Sequence, residues 1–324
     1  MADLRVVGSD LMPPSPERRH LLSIADLELV DIERLLATAR SFAHSQEREN
    51  KKLPTLRGRL ILNVFYESST RTSSSFELAA KRLSADTMTL KSSGSSVDKG
   101  ESLKDTALTL CAYDPDVIVI RHPEVGAAQF VAQLTGARVV NAGDGKHQHP
   151  TQALLDLHTM REAFGKLDGL KVAIVGDVIH SRVARSLVQA LHLVGAEAIL
   201  VGPPALLPTG LAETSHDIAA IGDADVVYVL RMQRERMLAG ANFVPSLSEY
   251  TSRWGITPAR VRDGQRVMHP GPMNRGVEID ARVADSDASL IVDQVRAGLV
   301  VRMAVLYDLL TTGPVAVESA VGVA

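Results

Sequence analysis

One cysteine, Cys111, stands in the 324 residues, so no disulfide can close within the chain and a reducing compartment fits. It lies in the apolar stretch Leu108 to Ala112 and reads as core filling rather than as a nucleophile. Long apolar runs are missing too. The best stretch, Ser186 to Ala196, falls short of the about 18 uncharged residues that a bilayer crossing needs. The opening Met-Ala-Asp-Leu-Arg lacks the basic-then-apolar order of a signal peptide. A cytoplasmic protein with no membrane partner is expected. The net charge of −3 is too small for a large nucleic-acid surface, although a local basic pocket can hide inside a balanced total. Internal repeats and low-complexity segments are also absent.

Three chemistries lack their residues. No Gly-x-x-x-x-Gly-Lys-Ser/Thr occurs, which disfavours a nucleoside triphosphate. The strand-to-helix stretch from Val172 to Arg182 holds a single glycine, Gly176, where a dinucleotide fingerprint needs three. His147 and His149 have no carboxylate or cysteine cluster at ligand spacing, so no metal is expected.

What is present is a balanced globular composition, 45% apolar and 23% charged, in a chain long enough for two domains. Short β-rich apolar runs fall at Leu60–Phe65, Thr87–Leu90, Val117–Ile120, Val139–Asn141, Lys171–Val175, Ala198–Val201, Val226–Val229 and Arg266–Met268. Helical periodicity lies between most of them. Phe76, Ala79, Ala80 and Leu83 recur at i, i+3, i+4 and i+7, and Ala153, Leu157, Met160 and Phe164 line another face. Such alternation predicts an α/β fold of two domains, each a mainly parallel sheet flanked by helices. The expected division is residues 1–150 and 151–294, with a last helix from about 295 packing back onto the first domain.

Ligands of open α/β sheets bind at the carboxyl ends of the strands, so the residues just past those ends matter most. Ser69-Thr70-Arg71-Thr72 follows one strand and opens a helix. Hydroxyls, free backbone N–H groups and a guanidinium there make an anion site. Ordinary capping needs only one hydroxyl, and it does not explain a cation at the positive end of a helix dipole. Arg121-His122-Pro123 follows the next strand. The segment from Asn141 to Gln152 forms a glycine-containing loop, with Pro150 suited to a first helical turn and His149 and Gln152 beside it. Ser92–Glu101 by itself reads as a solvated loop. Arg182 and Arg231 follow strands of the second half, and His269-Pro270-Gly271-Pro272 forms a rigid turn after its last strand. Arg71, Arg121, Arg182 and Arg231 thus all follow strand ends, two in each half. Facing halves would gather them in one cleft suited to oxyanion-rich ligands.

These motifs, in this order, resemble those of the aspartate carbamoyltransferases, catalytic chain, over nearly the whole sequence from about His20 to Leu310. They are Ser-Thr-Arg-Thr (69–72), Arg-His-Pro (121–123), Asn-Ala-Gly-Asp-Gly with His-Pro-Thr-Gln (141–152), Val-Gly-Asp (175–177) and His-Pro-Gly-Pro (269–272). The resemblance implies transfer of the carbamoyl group of carbamoyl phosphate to the amine of L-aspartate, a step of pyrimidine biosynthesis. It implies no metal, no cofactor and no covalent intermediate. It also implies a homotrimer with active sites shared at subunit boundaries, and leaves open further assembly with a regulatory chain or a dihydroorotase.

By the same resemblance, Ser69, Thr70, Arg71 and Thr72 hold the phosphate. Thr72, Arg121 and His149 polarise the carbamoyl oxygen, each donor worth about 3–4 kcal/mol in the transition state. Gln152 and the backbone at Pro270 and Gly271 orient the carbamoyl amide. Ser95 and Lys99 reach in from a neighbouring subunit, and Lys99 also serves aspartate with Arg182, Arg231 and Gln233. No side chain stands out as a base, so the departing phosphate itself is expected to take the amine proton. Ser68, Ser73 and Gly271 depart from the Pro, Arg and Leu found in many or some relatives. Two alternatives carry different expectations. An ornithine-type carbamoyltransferase has His-Cys-Leu-Pro where this chain has His269-Pro-Gly-Pro, and a non-catalytic subunit would not keep the whole ligand set.

Overall fold

The computed structural model describes residues 20–91, 100–232 and 246–311, and element labels count those residues only. The first sheet contains β1 (Leu60–Phe65), β2 (Asp86–Lys91), β3 (Val117–His122) and β4 (Arg138–Asp144), all parallel, in the order β2-β1-β3-β4. The second contains β5 (Lys171–Val175), β6 (Glu197–Val201), β7 (Glu213–Ser215), β8 (Val226–Val229) and β9 (Arg266–Met268), again parallel, in the order β7-β6-β5-β8-β9. Strands β1, β3, β5 and β8 are apolar along most of their length because helices cover both faces. All eight expected strands are present, with some ends displaced by a few residues. The ninth, β7, is an edge strand of Glu-Thr-Ser that no apolar run announced.

Both strand orders reverse direction beside their first strand. In the first sheet the chain goes from β1 to β2 on one side, then crosses to β3 on the other. In the second it runs through β6 and β7 before crossing to β8. The crevices past β1 and β3, and past β5 and β8, are therefore the switch points where parallel sheets take their ligands. Arg71 and Arg121 belong to the first crevice, Arg182 and Arg231 to the second.

The helices are α1 (Leu29–Gln46), α2 (Thr70–Arg82), α3 (Leu103–Cys111), α4 (Ala127–Leu134), α5 (Pro150–Phe164), α6 (Arg182–Leu193), α7 (Leu247–Trp254), α8 (Ala281–Ala284) and α9 (Ile291–Thr311). The stripe on α2 is buried as its spacing requires, with Phe76, Ala79, Ala80 and the following Leu83 all enclosed. Helix α5 is buried all round from Pro150 to Met160, because α1, α6 and α9 pack around it. Helix α9 starts at Ile291, four residues before the expected Val295, and packs on α1, α2 and α5. Arg34 on α1 binds Asp31 and, at 2.9 Å, Asp308 on α9, all three buried. Removing one partner from such a group costs about 3–5 kcal/mol. Cys111 is half-buried against the core of the first sheet, and burial pushes its thiol pKa up. Among the described residues no helix is long and apolar enough to cross a membrane.

Candidate active site

Past the carboxyl ends of both sheets lies a cavity of about 670 Å³. From the first sheet and its helices it is lined by Ser69, Thr70, Arg71, Thr72, Arg121, His149 and Gln152; from the second by Arg182, Arg231, Pro270 and Gly271. Every described residue expected from sequence to hold a ligand therefore meets in one place. Ser95, Lys99 and Gln233 lie outside the described residues.

Ser69 is the N-cap of α2 and makes no side-chain capping bond. The capping role open to Ser69 is thus not taken up, and the helix N-terminus faces the cavity with its first-turn N–H groups unclaimed within the helix. Arg71, one residue into α2, has its pKa lowered first by burial and then by the charge of Arg231. Two guanidiniums from different sheets repelling each other call for an anion between them.

Arg182 opens α6 after Ser181, whose Oγ caps the helix by accepting from Ala184 N–H. Its Nη1 donates to the Gly145 carbonyl at 3.0 Å, and its Nη2 lies 2.5 Å from Glu67 Oε2. The same carboxylate oxygen is 3.4 Å from Arg121 Nε. Gly143 lets both arginines close in. A Cβ there would stand 2.9 Å from Arg182 Nε and 3.3 Å from Arg121 Nη1, and φ is +119°.

His149 caps α5 through its backbone, and its N–H donates to Ser186 Oγ at 2.8 Å. Burial first, then Arg121, Arg182 and Arg302, hold its pKa well below the ordinary value. The ring is therefore neutral at pH 7 and carries one N–H to donate. His147 instead turns away to pair with Asp144 at 3.0 Å. His269 is buried and kept neutral, its pKa lowered chiefly by desolvation. Its Nδ1 accepts from Gly271 N–H at 2.8 Å while Nε2 faces Glu278 at 3.2 Å, which fixes the 269–271 turn. Gly271 has φ +65°, and a Cβ there would fall 2.6 Å from Arg71 Cζ, so the turn and the guanidinium fit only without a side chain.

Four contributors escaped the sequence reading. Glu67 carries the only carboxylate on the described cavity wall, against five guanidiniums. Arg302 is the fifth. It is buried in the middle of α9, lies 5.2 Å from the Phe76 ring centroid, and its pKa is pushed down to about 10 by burial. A lone Arg in the apolar run Leu299–Leu306 was its only signal. Gln294 lines the cavity from the start of α9, and buried Asp156 stands behind Gln152 on α5. Nothing in their local sequence distinguishes these two.

Two facing parallel α/β units with a cationic cleft at their switch points suit an enzyme that acts on anionic substrates. Residues 19–162 match the family described as aspartate/ornithine carbamoyltransferase, carbamoyl-P binding domain, and residues 168–309 match its Asp/Orn binding domain. The chain belongs to the aspartate/ornithine carbamoyltransferase family, as its motifs led one to expect. It is 55% identical over 303 residues to the aspartate carbamoyltransferase catalytic subunit of Acidothermus cellulolyticus, covering 91% of this chain and 93% of the relative. Over 300 residues it is 54% identical to the catalytic subunit from Thermobifida fusca, covering 90% and 95%. Among solved structures, aspartate transcarbamoylase from Trypanosoma cruzi in complex with carbamoyl phosphate superposes with a TM-score of 0.85. Its identity is 30%, and the match covers 93% of this chain and 99% of that one.

Proposed function

We propose that this chain is an aspartate carbamoyltransferase. It transfers the carbamoyl group of carbamoyl phosphate to the amine of L-aspartate, giving N-carbamoyl-L-aspartate and phosphate, a step of pyrimidine biosynthesis. The observation that carries the reading is the ring of guanidiniums drawn from both sheets around one cavity. Five cations against one carboxylate leave an excess of four. The phosphate of one substrate and the two carboxylates of the other supply up to four negative charges.

Phosphate sits at the α2 N-terminus on Ser69, Thr70, Arg71 and Thr72. The neutral amine attacks the carbamoyl carbon, and charge builds on the carbonyl oxygen, where Thr72, Arg121 and neutral His149 donate. A neutral imidazole suits this work because it needs only one N–H and brings no further charge. The C–O bond to phosphate then breaks, Arg71 stabilises the leaving group, and the phosphate takes the amine proton. Arg182 and Arg231 hold the carboxylates of aspartate. Holding both substrates in one cavity removes much of the entropic barrier.

Aspartate is favoured over ornithine by the charge of the wall. An ornithine side chain would bring an ammonium group into a cavity whose single described carboxylate, Glu67, already faces Arg182. In this reading residues 1–150 with the helix from about 295 form the carbamoyl-phosphate domain, and 151–294 form the aspartate domain. Ser95 and Lys99 complete the site from the next subunit of a homotrimer, Gln233 joins the aspartate contacts, and the enzyme works in the cytoplasm. The testing ligand is N-(phosphonacetyl)-L-aspartate, which joins both substrate parts. Titration calorimetry is expected to show one molecule bound per chain, with affinity lost in both Arg71→Ala and Arg231→Ala. Unchanged affinity in either variant contradicts a site spanning both sheets.

A further inference from the structure

Asp156 is wholly enclosed on α5, one turn after Gln152. Its Oδ1 accepts from Gln152 Nε2 at 3.1 Å and from Gln294 Nε2 at 2.7 Å, and its Oδ2 accepts from the Tyr228 hydroxyl at 2.7 Å. Each of these three partners can donate or accept, whereas an ionised carboxylate only accepts. Asp156 therefore holds all three by their donor ends and turns their acceptor ends elsewhere. For Gln294, the other end is occupied within the protein: its Oε1 accepts from His269 N–H at 2.9 Å. For Gln152, which lines the cavity, the carbonyl Oε1 is left for the ligand.

We propose that Asp156 is a positioning residue that fixes the Gln152 amide with its carbonyl toward the cavity, so that the site selects a donor whose acyl carbon bears N–H. The inference rests on reading the cavity as a carbamoyl-phosphate site and adds how the carbamoyl nitrogen is told from an isosteric methyl. Without the carboxylate, the Gln152 amide can present either end, and an N–H facing the ligand's own N–H would repel it. Burial lifts Asp156 to about 7, partly offset by the three donors and by Arg302. At pH 8 the carboxylate form prevails.

The probes are phosphonoacetamide and acetonylphosphonate, two unreactive phosphonates that differ only in NH2 against CH3 on the carbonyl carbon. Their affinities are measured by titration calorimetry at pH 8 on the full chain. Wild type is expected to prefer the amide roughly tenfold or more, because a site built to accept an N–H penalises a ligand that lacks it. In Asp156→Asn the preference is expected to fall to within about twofold of unity, mainly through loss of amide binding. Equal weakening of both ligands, or an unchanged ratio, overturns the proposal. Tyr228→Phe removes a hydroxyl that also touches Gln152 but keeps the bond from Gln152 Nε2 to Asp156 Oδ1, so a clear preference for the amide is expected to remain. It also holds the test if Asp156→Asn fails to fold, since a collapsed ratio in Tyr228→Phe would show that the Asp156 bond does not by itself fix the Gln152 amide and would overturn the proposal. Wild type binding neither phosphonate would instead overturn the carbamoyl-phosphate reading, and this inference with it.

Discussion

Glu67 Oε2 lies 2.5 Å from Arg182 Nη2, joining the loop after β1 to the start of α6 and so one sheet's crevice to the other's. Because Arg121 stands 3.4 Å from the same oxygen, one carboxylate orders two of the site's cations. Glu67→Gln keeps the shape and removes the charge. Charge-assisted bonds of this kind contribute about 1.5–3 kcal/mol, so kcat/KM for aspartate is expected to fall by roughly tenfold or more. Steady-state kinetics check this, and near-normal values would make the contact incidental.

Arg71 is the cation set at the positive end of α2. Arg71→Ala removes a donor from both bound and departing phosphate, a loss of about 3–4 kcal/mol or some hundred- to thousandfold in turnover. The thermal-unfolding midpoint is expected to hold or rise slightly, since the side chain is destabilised by burial and by Arg231. Normal turnover would remove the phosphate from this position.

Gly271→Ala places a Cβ 2.6 Å from Arg71 Cζ at a residue with φ +65°. Either the turn or the guanidinium must shift. Carbamoyl-phosphate binding is expected to weaken by about tenfold or more, with a stability loss of about 1–2 kcal/mol from the left-handed backbone. Binding calorimetry and thermal unfolding separate the two effects.

His149 supplies an acid sensitivity whose sign is set by its lowered pKa. Above the unfolded value of about 6.5 both states are neutral and its full contribution is present. As pH falls below that, only the unfolded chain takes up the proton, and stability falls by about 1.4 kcal/mol per pH unit until the native value is reached. Asp156 acts oppositely. Its native pKa of about 7 makes stability fall as pH rises between the ordinary carboxylate value and 7. Comparing wild type with His149→Gln isolates the histidine: the variant is expected to lose less stability between pH 7 and pH 5.5. Parallel profiles would contradict a buried neutral ring.

Much of the fold was legible because parallel strands buried on both faces leave unbroken apolar runs, as Val172–Val175 and Val226–Val229 do. Strand β7 was not, since Glu213-Thr214-Ser215 pairs on one side only, with β6, and sits at the exposed edge. The four arginines were legible because each lies at or just past the carboxyl end of a strand, Arg121 as the next-to-last residue of β3, where position in the fold and chemistry coincide. Glu67, Asp156 and Gln294 were not. Glu67 meets Arg182 across 115 positions, and Asp156 meets Tyr228 across 72 and Gln294 across 138. Such partners are set by how the two sheets face each other, which no local pattern encodes.

The central claim is that guanidiniums from two sheets hold carbamoyl phosphate beside an acceptor with two carboxylates. Its most direct test is to incubate the purified chain with carbamoyl phosphate and either L-aspartate or L-ornithine, and to measure carbamoyl-amino-acid formation against released phosphate. The account predicts N-carbamoyl-L-aspartate in equal amount to phosphate, and no product from ornithine. Product from ornithine alone, or from neither acceptor, would contradict it.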